Sequence, residues 1–343
     1  MVQRPVEFGI TSFGYAFGED TDVAETAPSY VSDPERIIRW GYHTYHRAPD
    51  GVTASNLAAQ AAQDALGKLG MTPDDVQLVV VAASEMPEYL YWDTSGAVAR
   101  ELKMELRQTM LLNEGCACGV TGLGYVAGLM AIQPELDTVL FIAVNRVSEF
   151  HRNRMTTNNA VHSDGAVAVV LQRGHEQLRW LSTEQFTDPD LCDFFRTDYG
   201  GMVHPVPPPG WSTLTSDPGH VRVQEHFNRD PQRLREFAEG IDSRLVDVMD
   251  GACRRAGLAR DDIAHVIYIN DSPETCEEVG ALAGVPPHRT NAQISIGHGH
   301  IGAADQLVCL GEHLERGELS PGEVVALTGI SIGMRWYCTL IQV

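Results

Sequence analysis

Two cysteines and a run of glycines stand together in the stretch NEGCACGVTGLG, residues 113–124. Strand-like residues precede Cys116 and an apolar helical periodicity follows it, which predicts a strand-to-helix turn at this cysteine. The dipole and the unpaired N–H groups of a helix start favour a thiolate, so Cys116 is in a nucleophile's position. Buried core cysteines, a zinc site and a redox pair are the alternatives. The spacing of Cys116 and Cys118, without a second cysteine pair, is atypical of the last two.

A second stretch, ISIGHGHIGAADQL at residues 294–307, places His298 and His300 on a glycine-rich turn between an expected strand and an expected helix. Two imidazoles on a tight turn are not typical of core packing. A metal site formed by Cys118, His298 and His300 would be an improbable ligand set for structural zinc, so we predict no metal. General base catalysis beside a thiol is the favoured interpretation for His300.

A third stretch, YINDSPETCEE at residues 268–278, leaves an expected buried strand with Asn270 and Asp271 at its carboxyl end. Functional sites of α/β proteins gather at this end of a strand. Capping of the following helix is the expected role of Ser272, whereas for Asp271 capping and a role in the site both stay open.

The elements around these stretches are repeated along the chain. Residues 53–84 predict a helix closed by Gly70, a polar turn and a buried strand, and residues 234–270 follow the same plan. Each unit continues with a helix, a glycine-rich element and a hydrophobic strand pair, which indicates a duplicated α/β domain. The predicted division is an N-terminal half (1–175), an inserted segment (176–232) and a C-terminal half (233–343). The inserted segment contains HPVPPPGW and is either a cap over a site or a plain linker.

Composition excludes several classes of function. The chain has 25 basic and 46 acidic residues, a net charge of −21, and so lacks the basic surface that nucleic acid binding needs. Seven scattered cysteines and the lack of a signal-peptide pattern at the start favour a reducing cytoplasm. Apolar stretches such as 120–132 are shorter than the roughly 20 residues of a membrane span. We therefore expect a cytoplasmic protein that binds neither nucleic acid nor membrane.

The sequence resembles the ketoacyl-acyl-carrier-protein synthase III enzymes over nearly its whole length. NEGCACGVTGL resembles their nucleophile element, HSDGAVAVVL and GHGHIGAADQL resemble two further motifs, and GISIGMRWYCTLIQV resembles their C-terminal strand pair. The resemblance implies an α/β thiolase fold, with duplicated βαβαβαββ halves in a five-layered αβαβα sandwich, and a homodimer. It makes Cys116 the acyl-accepting residue. It also implies an oxyanion site formed by the backbone N–H groups of Cys116 and of Ile332 or Gly333.

The resemblance further implies a thioester donor, carried by coenzyme A or by an acyl carrier protein, and no bound cofactor. The family's coenzyme A arginine falls at Arg39. Its neighbouring tryptophan position holds Glu35 instead. This departure leaves an acyl carrier protein open as the donor.

The two residues that support decarboxylation in the family are of other types in this sequence. The family's histidine falls at or near Asn270, and its asparagine becomes His300. Decarboxylative condensation is therefore in doubt. A Cys116–His300 pair supported by Asn270 or Asp271 suits deprotonation of a hydroxyl instead.

The predicted function is ping-pong transfer of an acyl group, such as malonyl, from Cys116 to a hydroxyl of a polyketide or its sugar. Within the family, the sequence most resembles the ester-forming homologues of actinobacterial polyketide pathways, such as the cervimycin malonyl transferase, which implies a role in antibiotic biosynthesis. Decarboxylative carbon–carbon condensation is the alternative, and an inactive partner subunit is another. Residues 85–92 and 200–216 are expected to line the pocket because they carry aromatic side chains in loops.

Overall fold

The computed structural model describes residues 7–156, 160–215 and 219–343. The strands are β1 (Phe8–Phe17), β2 (Glu19–Asp22), β3 (Thr44–Arg47), β4 (Leu78–Ala83), β5 (Gln108–Leu112), β6 (Thr138–Asn145), β7 (Gly165–Arg173), β8 (Arg179–Thr187), β9 (Ile263–Ile267), β10 (Val324–Ser331) and β11 (Arg335–Gln342). The helices are α1 (Val23–Thr26), α2 (Pro34–Ile38), α3 (Ala54–Lys68), α4 (Thr94–Glu101), α5 (Cys118–Ile132), α6 (Gly219–His226), α7 (Pro231–Ala256), α8 (Pro273–Leu282), α9 (Ala292–His298) and α10 (Asp305–Glu315).

Nine strands of the described chain form one mixed sheet in the order β5-β4-β6-β7-β1-β8-β11-β10-β9. In the first half, β4 is parallel to β5 and β6, and β6, β7 and β1 are antiparallel neighbours. In the second half, β9 is parallel to β10, and β10, β11 and β8 are antiparallel neighbours. The counterpart of β5 is reduced to a single parallel bridge between Val266 and Thr290. The two halves therefore share one topology and meet where β1 pairs with β8, which confirms the predicted duplication.

The helices cover the sheet in layers. The alanine-rich face of α3 and α4 packs on the outer side of the first half, and α7 and α8 pack on the outer side of the second half. Between the halves lie α5 and α10, and α5 contacts β4 and β6 on one side and β8 and β11 on the other. This arrangement is the predicted five-layered αβαβα sandwich.

The sequence explains where the outer helices begin and end. Thr53 and Asn56 form a capping box at the start of α3. Asp230 caps α7, Pro231 occupies its first turn, and Gly257 ends it in the left-handed conformation. Both units predicted at 53–84 and 234–270 are confirmed as a helix, a short turn and a buried strand.

Helix α5 is rich in glycine because other groups approach it closely. A Cβ atom at Gly119 would overlap the carbonyl oxygen of Ala303, one at Gly122 would lie 2.6 Å from the Phe141 ring, and one at Gly124 would lie 3.0 Å from Thr183. Close packing thus accounts for glycine at these three positions, whereas Gly128 has open space. Among the described residues, one helical window, 115–132, is long and apolar enough to cross a membrane, and 61% of it is buried. Its hydropathy is that of a core helix.

The strand expected before the two histidines is instead a helix. Residues Ala292–His298 form α9, although their composition favours a strand. The side-chain amide of Asn291 accepts from the N–H of Tyr268 and donates to its C=O, both at 3.0 Å. The side chain thereby takes the place of a neighbouring strand's backbone beside the end of β9, and tertiary context overrides strand propensity.

The segment 176–232, predicted to be inserted, contributes a core strand. Its residues Arg179–Thr187 form β8, which pairs with β11 along its length. The expectation of an insertion is therefore wrong for these residues. The strand was not predicted because its sequence, RWLSTEQFT, is largely polar, as suits a strand that is only half-buried. The described remainder includes Phe194 and Phe227, which pack on Phe237 of α7.

Candidate active site

The nucleophile loop lies between β5 and α5, as the sequence predicts. Gly115 adopts φ +59°, and a Cβ atom there would lie 2.8 Å from Ser331 Oγ, so glycine is required both for conformation and for space. Cys116 follows, half-buried, two residues before the first residue of α5. The loop thus presents the thiol near the amino-terminal end of a buried helix.

Three side chains form a continuous chain of contacts at this point. Cys116 Sγ lies 3.0 Å from His300 Nε2, and His300 Nδ1 lies 2.5 Å from Asp305 Oδ2. Asp305 is fully buried, and its carboxylate also accepts from the N–H groups of Asn270 (2.8 Å) and Ile301 (2.6 Å). The carboxylate is therefore fixed by backbone donors and can hold the imidazole in one tautomer and orientation.

Asp305, and neither Asn270 nor Asp271, occupies the position behind His300, so the predicted supporting residue is corrected. The Asn270 side chain donates to the C=O of Gly299 and accepts from Asn291, which shapes the backbone beside His300. Asp271 accepts from the N–H of Ser272 and lies in the cavity wall. One feature of the sequence could have indicated this residue: Asp305 lies five residues after His300, at the start of an amphipathic helix. Ser272 caps α8 as expected.

The electrostatics of the site favour a protonated imidazole at His300. Burial lowers the pKa of His300, but the charges of Asp305 and Cys116 outweigh this effect and raise the pKa well above its ordinary value. An imidazolium next to Cys116 stabilises a thiolate at the sulfur. Burial also raises the pKa of Asp271, so this carboxyl group is more easily protonated than an exposed one.

Cys118 has a structural environment. It is fully buried, its thiol donates to the C=O of Gly115 at 3.0 Å, and burial raises its pKa to about 12. His298 turns away from the site, because Gly299 separates it from His300, and its ring contacts His46 (2.8 Å) and Glu312. Within the described ranges, no three or more His, Cys, Asp or Glu side chains are arranged so that they could hold a metal ion.

Cys116 and His300 open into a cavity of about 70 Å³. Its other lining residues are Ser84, Glu85, Gly115, Asn145, Arg152, Ala160, His162, Phe195, Ile269, Asp271, Ile330, Ser331 and Ile332. Ser331 Oγ donates to the C=O of Glu114 and accepts from the N–H of Ala117, which ties the β10–β11 turn to the nucleophile loop. Sequence reasoning did not identify Ser331. The oxyanion roles of the Cys116, Ile332 and Gly333 N–H groups stay a prediction.

The remaining predicted residues lie at different distances from the site. Glu85 lines the cavity, whereas the side chains at 89–91 are exposed. In the expected stretch 200–216, position 216 lies outside the described residues. Trp211 of this stretch lines a neighbouring cavity of about 490 Å³, and Arg152 lines both cavities. Arg39 is exposed at the end of α2 and does not line the described cavity, so its role in donor binding stays a prediction.

Comparison with known proteins gives matches along the chain. A family model for 3-oxoacyl-[acyl-carrier-protein] synthase III matches residues 111–189, and the model for the C-terminal part of that enzyme matches residues 253–343. The beta-ketoacyl-[acyl-carrier-protein] synthase III of Sinorhizobium medicae is 25% identical over 91% of each chain. The enzyme of the same name from Nitratidesulfovibrio vulgaris is 27% identical over 91% of this chain and 90% of its own.

Solved structures match as well. ChlB3, described as an acyltransferase, has a TM-score of 0.82 and 25% identity, with 99% of this chain and 98% of the other covered. The 3-oxoacyl-[acyl-carrier-protein] synthase III of Aquifex aeolicus has a TM-score of 0.75, 19% identity and coverage of 98% and 100%, and supports the fold. Together with the thiolase fold, the matching family models and the relatives along most of the chain make this protein similar to the ketoacyl synthase III enzymes of the thiolase superfamily, with acyl-transfer chemistry.

Proposed function

We propose that this enzyme moves an acyl group from a thioester to a hydroxyl through an acyl-Cys116 intermediate. The observation that carries the proposal is the line of contacts from Cys116 Sγ through His300 to Asp305. A thiol, an imidazole and an orienting carboxylate in this order form the arrangement that activates nucleophiles in acyl transfer.

In the first half-reaction, Cys116 Sγ attacks the carbonyl carbon of the donor thioester. The bond from that carbon to the donor sulfur breaks, and the His300 imidazolium gives its Nε2 proton to the departing thiol. In the second half-reaction, neutral His300 takes the proton of an acceptor hydroxyl, whose oxygen attacks the acyl-Cys116 carbonyl. Cys116 leaves as a thiolate beside the newly formed imidazolium, which restores the starting ion pair.

Both steps pass through a tetrahedral oxyanion that needs fixed donors. The backbone N–H of Cys116 and that of Ile332 or Gly333 are the proposed donors. Ile332 lines the cavity, and the Ser331 hydrogen bonds hold its turn against the nucleophile loop. Asp305 keeps the Nδ1 proton of His300 in place during both half-reactions.

The alternative is decarboxylative condensation, which the names of the relatives favour. That reaction needs donors that stabilise an enolate on the second acyl group. Here the Asn270 amide is engaged with Gly299 and Asn291, and Asp271 presents a carboxyl group to the cavity. The Asn270 amide is therefore not available to stabilise an enolate, and this supports transfer to oxygen over condensation.

The finer features of the proposal come from the sequence resemblance and from ChlB3, which is described as an acyltransferase. They are malonyl as the acyl group, a polyketide or its sugar as the acceptor, an acyl carrier protein or coenzyme A as the donor, and a homodimer. The proposed setting is a polyketide pathway such as that of cervimycin.

Intact-protein mass spectrometry with malonyl and acetyl thioesters, followed by peptide mapping, tests the proposal. We expect a malonyl adduct that keeps its carboxylate and maps to Cys116. Cys116→Ala should abolish the adduct and acyl transfer, while Cys118→Ala, the matched control, should keep both. Release of carbon dioxide from the malonyl group during turnover would instead establish the condensing reaction. Full transfer activity of Cys116→Ala would refute both mechanisms.

A further inference from the structure

We propose that Arg152 and His162 form a carboxylate-binding subsite beside Cys116, which selects short acyl groups that carry a second carboxylate. This inference rests on the proposed function, because it concerns the acyl group held on Cys116. It assigns to the two residues a recognition role that is separate from the chemistry of His300.

His162 is a buried histidine in the wall of the cavity. Its side chain lines the cavity, the residue is 6% exposed, and Nε2 has no hydrogen-bond partner among the described residues. The ring centroid lies 5.2 Å from that of His300. Buried nitrogens are nearly always hydrogen-bonded, so an unpaired one in the wall of a cavity points to a ligand atom.

The position of His162 is fixed by its backbone. The N–H of His162 donates to the C=O of Arg154 at 2.8 Å, and His162 forms a parallel bridge with His300. Burial, together with the charge of Arg152, holds the pKa of His162 well below its ordinary value. A neutral imidazole has one N–H donor, which suits a hydrogen bond to an anionic oxygen that a neighbouring cation neutralises.

Arg152 supplies that cation. Its Nε lies 2.8 Å from Glu85 Oε1, and both side chains are largely buried in the cavity wall. Contact with one carboxylate at Nε leaves the terminal N–H donors of the guanidinium for a second one. The ion pair with Glu85 keeps Arg152 in the cavity wall, and the terminal edge of the guanidinium provides the geometry that binds carboxylates in pairs of hydrogen bonds.

The size of the cavity decides which part of the substrate these donors meet. About 70 Å³ holds only a few water-sized groups, so the space directly beside Cys116 suits a short acyl chain. The group that reaches Arg152 and His162 is therefore only a few bonds from the thioester carbonyl. A cation there favours a carboxylate over the neutral hydroxyl of an acceptor, which His300 must deprotonate.

The test compares acyl groups of equal shape and different charge. Malonyl and acetoacetyl differ by a carboxylate oxygen against a methyl group, and acetyl lacks the extension. The rate of Cys116 acylation is measured by mass spectrometry with the N-acetylcysteamine thioesters of all three, which avoids recognition of coenzyme A or a carrier protein. We expect the wild type to prefer malonyl to acetoacetyl.

Arg152→Gln and His162→Phe should each lower malonyl acylation about tenfold while acetyl acylation stays within about twofold. His162→Gln keeps an N–H donor and should restore part of the preference for malonyl. An unchanged ratio of malonyl to acetoacetyl rates in His162→Phe would overturn the subsite, and this variant decides the matter if Arg152→Gln does not fold. If no thioester labels Cys116 in the wild type, the proposed function fails. If acetyl labels Cys116 but the ratio does not respond, only the subsite fails.

Discussion

At the scale of single residues, the chemistry of this enzyme depends on how one imidazole is held. His300 contacts Cys116 on one side and Asp305 on the other, and Asp305 is itself fixed by two backbone N–H groups. The carboxylate does not touch the thiol. Its effect is to keep the imidazole protonated and correctly oriented beside the sulfur.

Replacing the carboxylate should change the pH dependence of acylation. Because Asp305 raises the pKa of His300, the imidazolium that protonates the leaving thiol persists to higher pH in the wild type. In Asp305→Asn this support is lost, so the alkaline limb of the acyl-Cys116 formation rate should move to lower pH by about one unit or more. Stopped-flow measurement of the thiol released by acetyl thioester, across a pH series, gives the shift.

Asp271→Asn is the matched control for this prediction, since Asp271 lines the same cavity without contacting Nδ1 of His300. Its alkaline limb should stay near that of the wild type. A larger shift in Asp271→Asn than in Asp305→Asn would show that the supporting carboxylate has been misassigned.

At the scale of elements, the nucleophile loop is held by the β10–β11 turn and by the close packing of α5. Ser331 Oγ bonds to the backbone on both sides of Cys116, at Glu114 and at Ala117. Helix α5 approaches the turn that carries Ala303, which connects His300 to α10, so the elements bearing the thiol and the imidazole are packed directly together. This contact determines the distance between the two reacting groups.

A methyl group at this contact should damage the protein. Gly119→Ala would drive Cβ into the carbonyl oxygen of Ala303, which is backbone and cannot move aside freely. We expect a loss of about 1–3 kcal/mol or more in the free energy of unfolding. Gly128→Ala, in the same helix but in open space, should instead be stabilising by up to about 1 kcal/mol. Urea denaturation followed by circular dichroism measures both, and equal effects of the two variants would contradict the packing argument.

The Ser331 contacts should affect catalysis more than folding. Ser331→Ala removes two hydrogen bonds that fix the nucleophile loop, so we expect kcat to fall about tenfold with a smaller change in KM. Steady-state kinetics with a saturating donor measure this split. A rise in KM with unchanged kcat would place Ser331 in substrate binding instead.

At the scale of the whole molecule, two copies of one topology meet at β1 and β8, and β5 and β9 lie at opposite edges of the described sheet, β5 in the first half. This edge strand carries Leu111, which is 36% exposed. An edge strand with exposed apolar side chains is a template for pairing with another chain, and it offers a symmetric surface for the predicted homodimer.

If the predicted homodimer pairs through β5, Leu111→Glu should convert it to a monomer, because symmetry places like charges near each other across the paired edges. Light scattering coupled to size-exclusion chromatography measures the mass. Leu69→Glu is the matched control, since Leu69 is 39% exposed at the end of α3 and lies outside β5, and it should leave the dimer intact. A monomeric wild type would refute the homodimer, and a dimeric Leu111→Glu would place the interface elsewhere.

The sequence by itself determined the duplicated α/β plan, the nucleophile turn at Cys116 and the importance of His300, because each rests on local periodicity, spacing and motif. Tertiary structure decided the rest. Asp305 replaced Asn270 and Asp271 behind His300 since the partner of a side chain depends on how a turn and a helix pack, which spacing does not reveal. The strand β8 was not predicted because its residues are polar and only half-buried. Residues Ala292–His298 form α9 instead of the expected strand, and the Asn291 side chain pairs with the backbone just after β9. The unpaired nitrogen of His162 and the orientation of Arg152 likewise exist only in the folded chain, where residues far apart in sequence share one cavity.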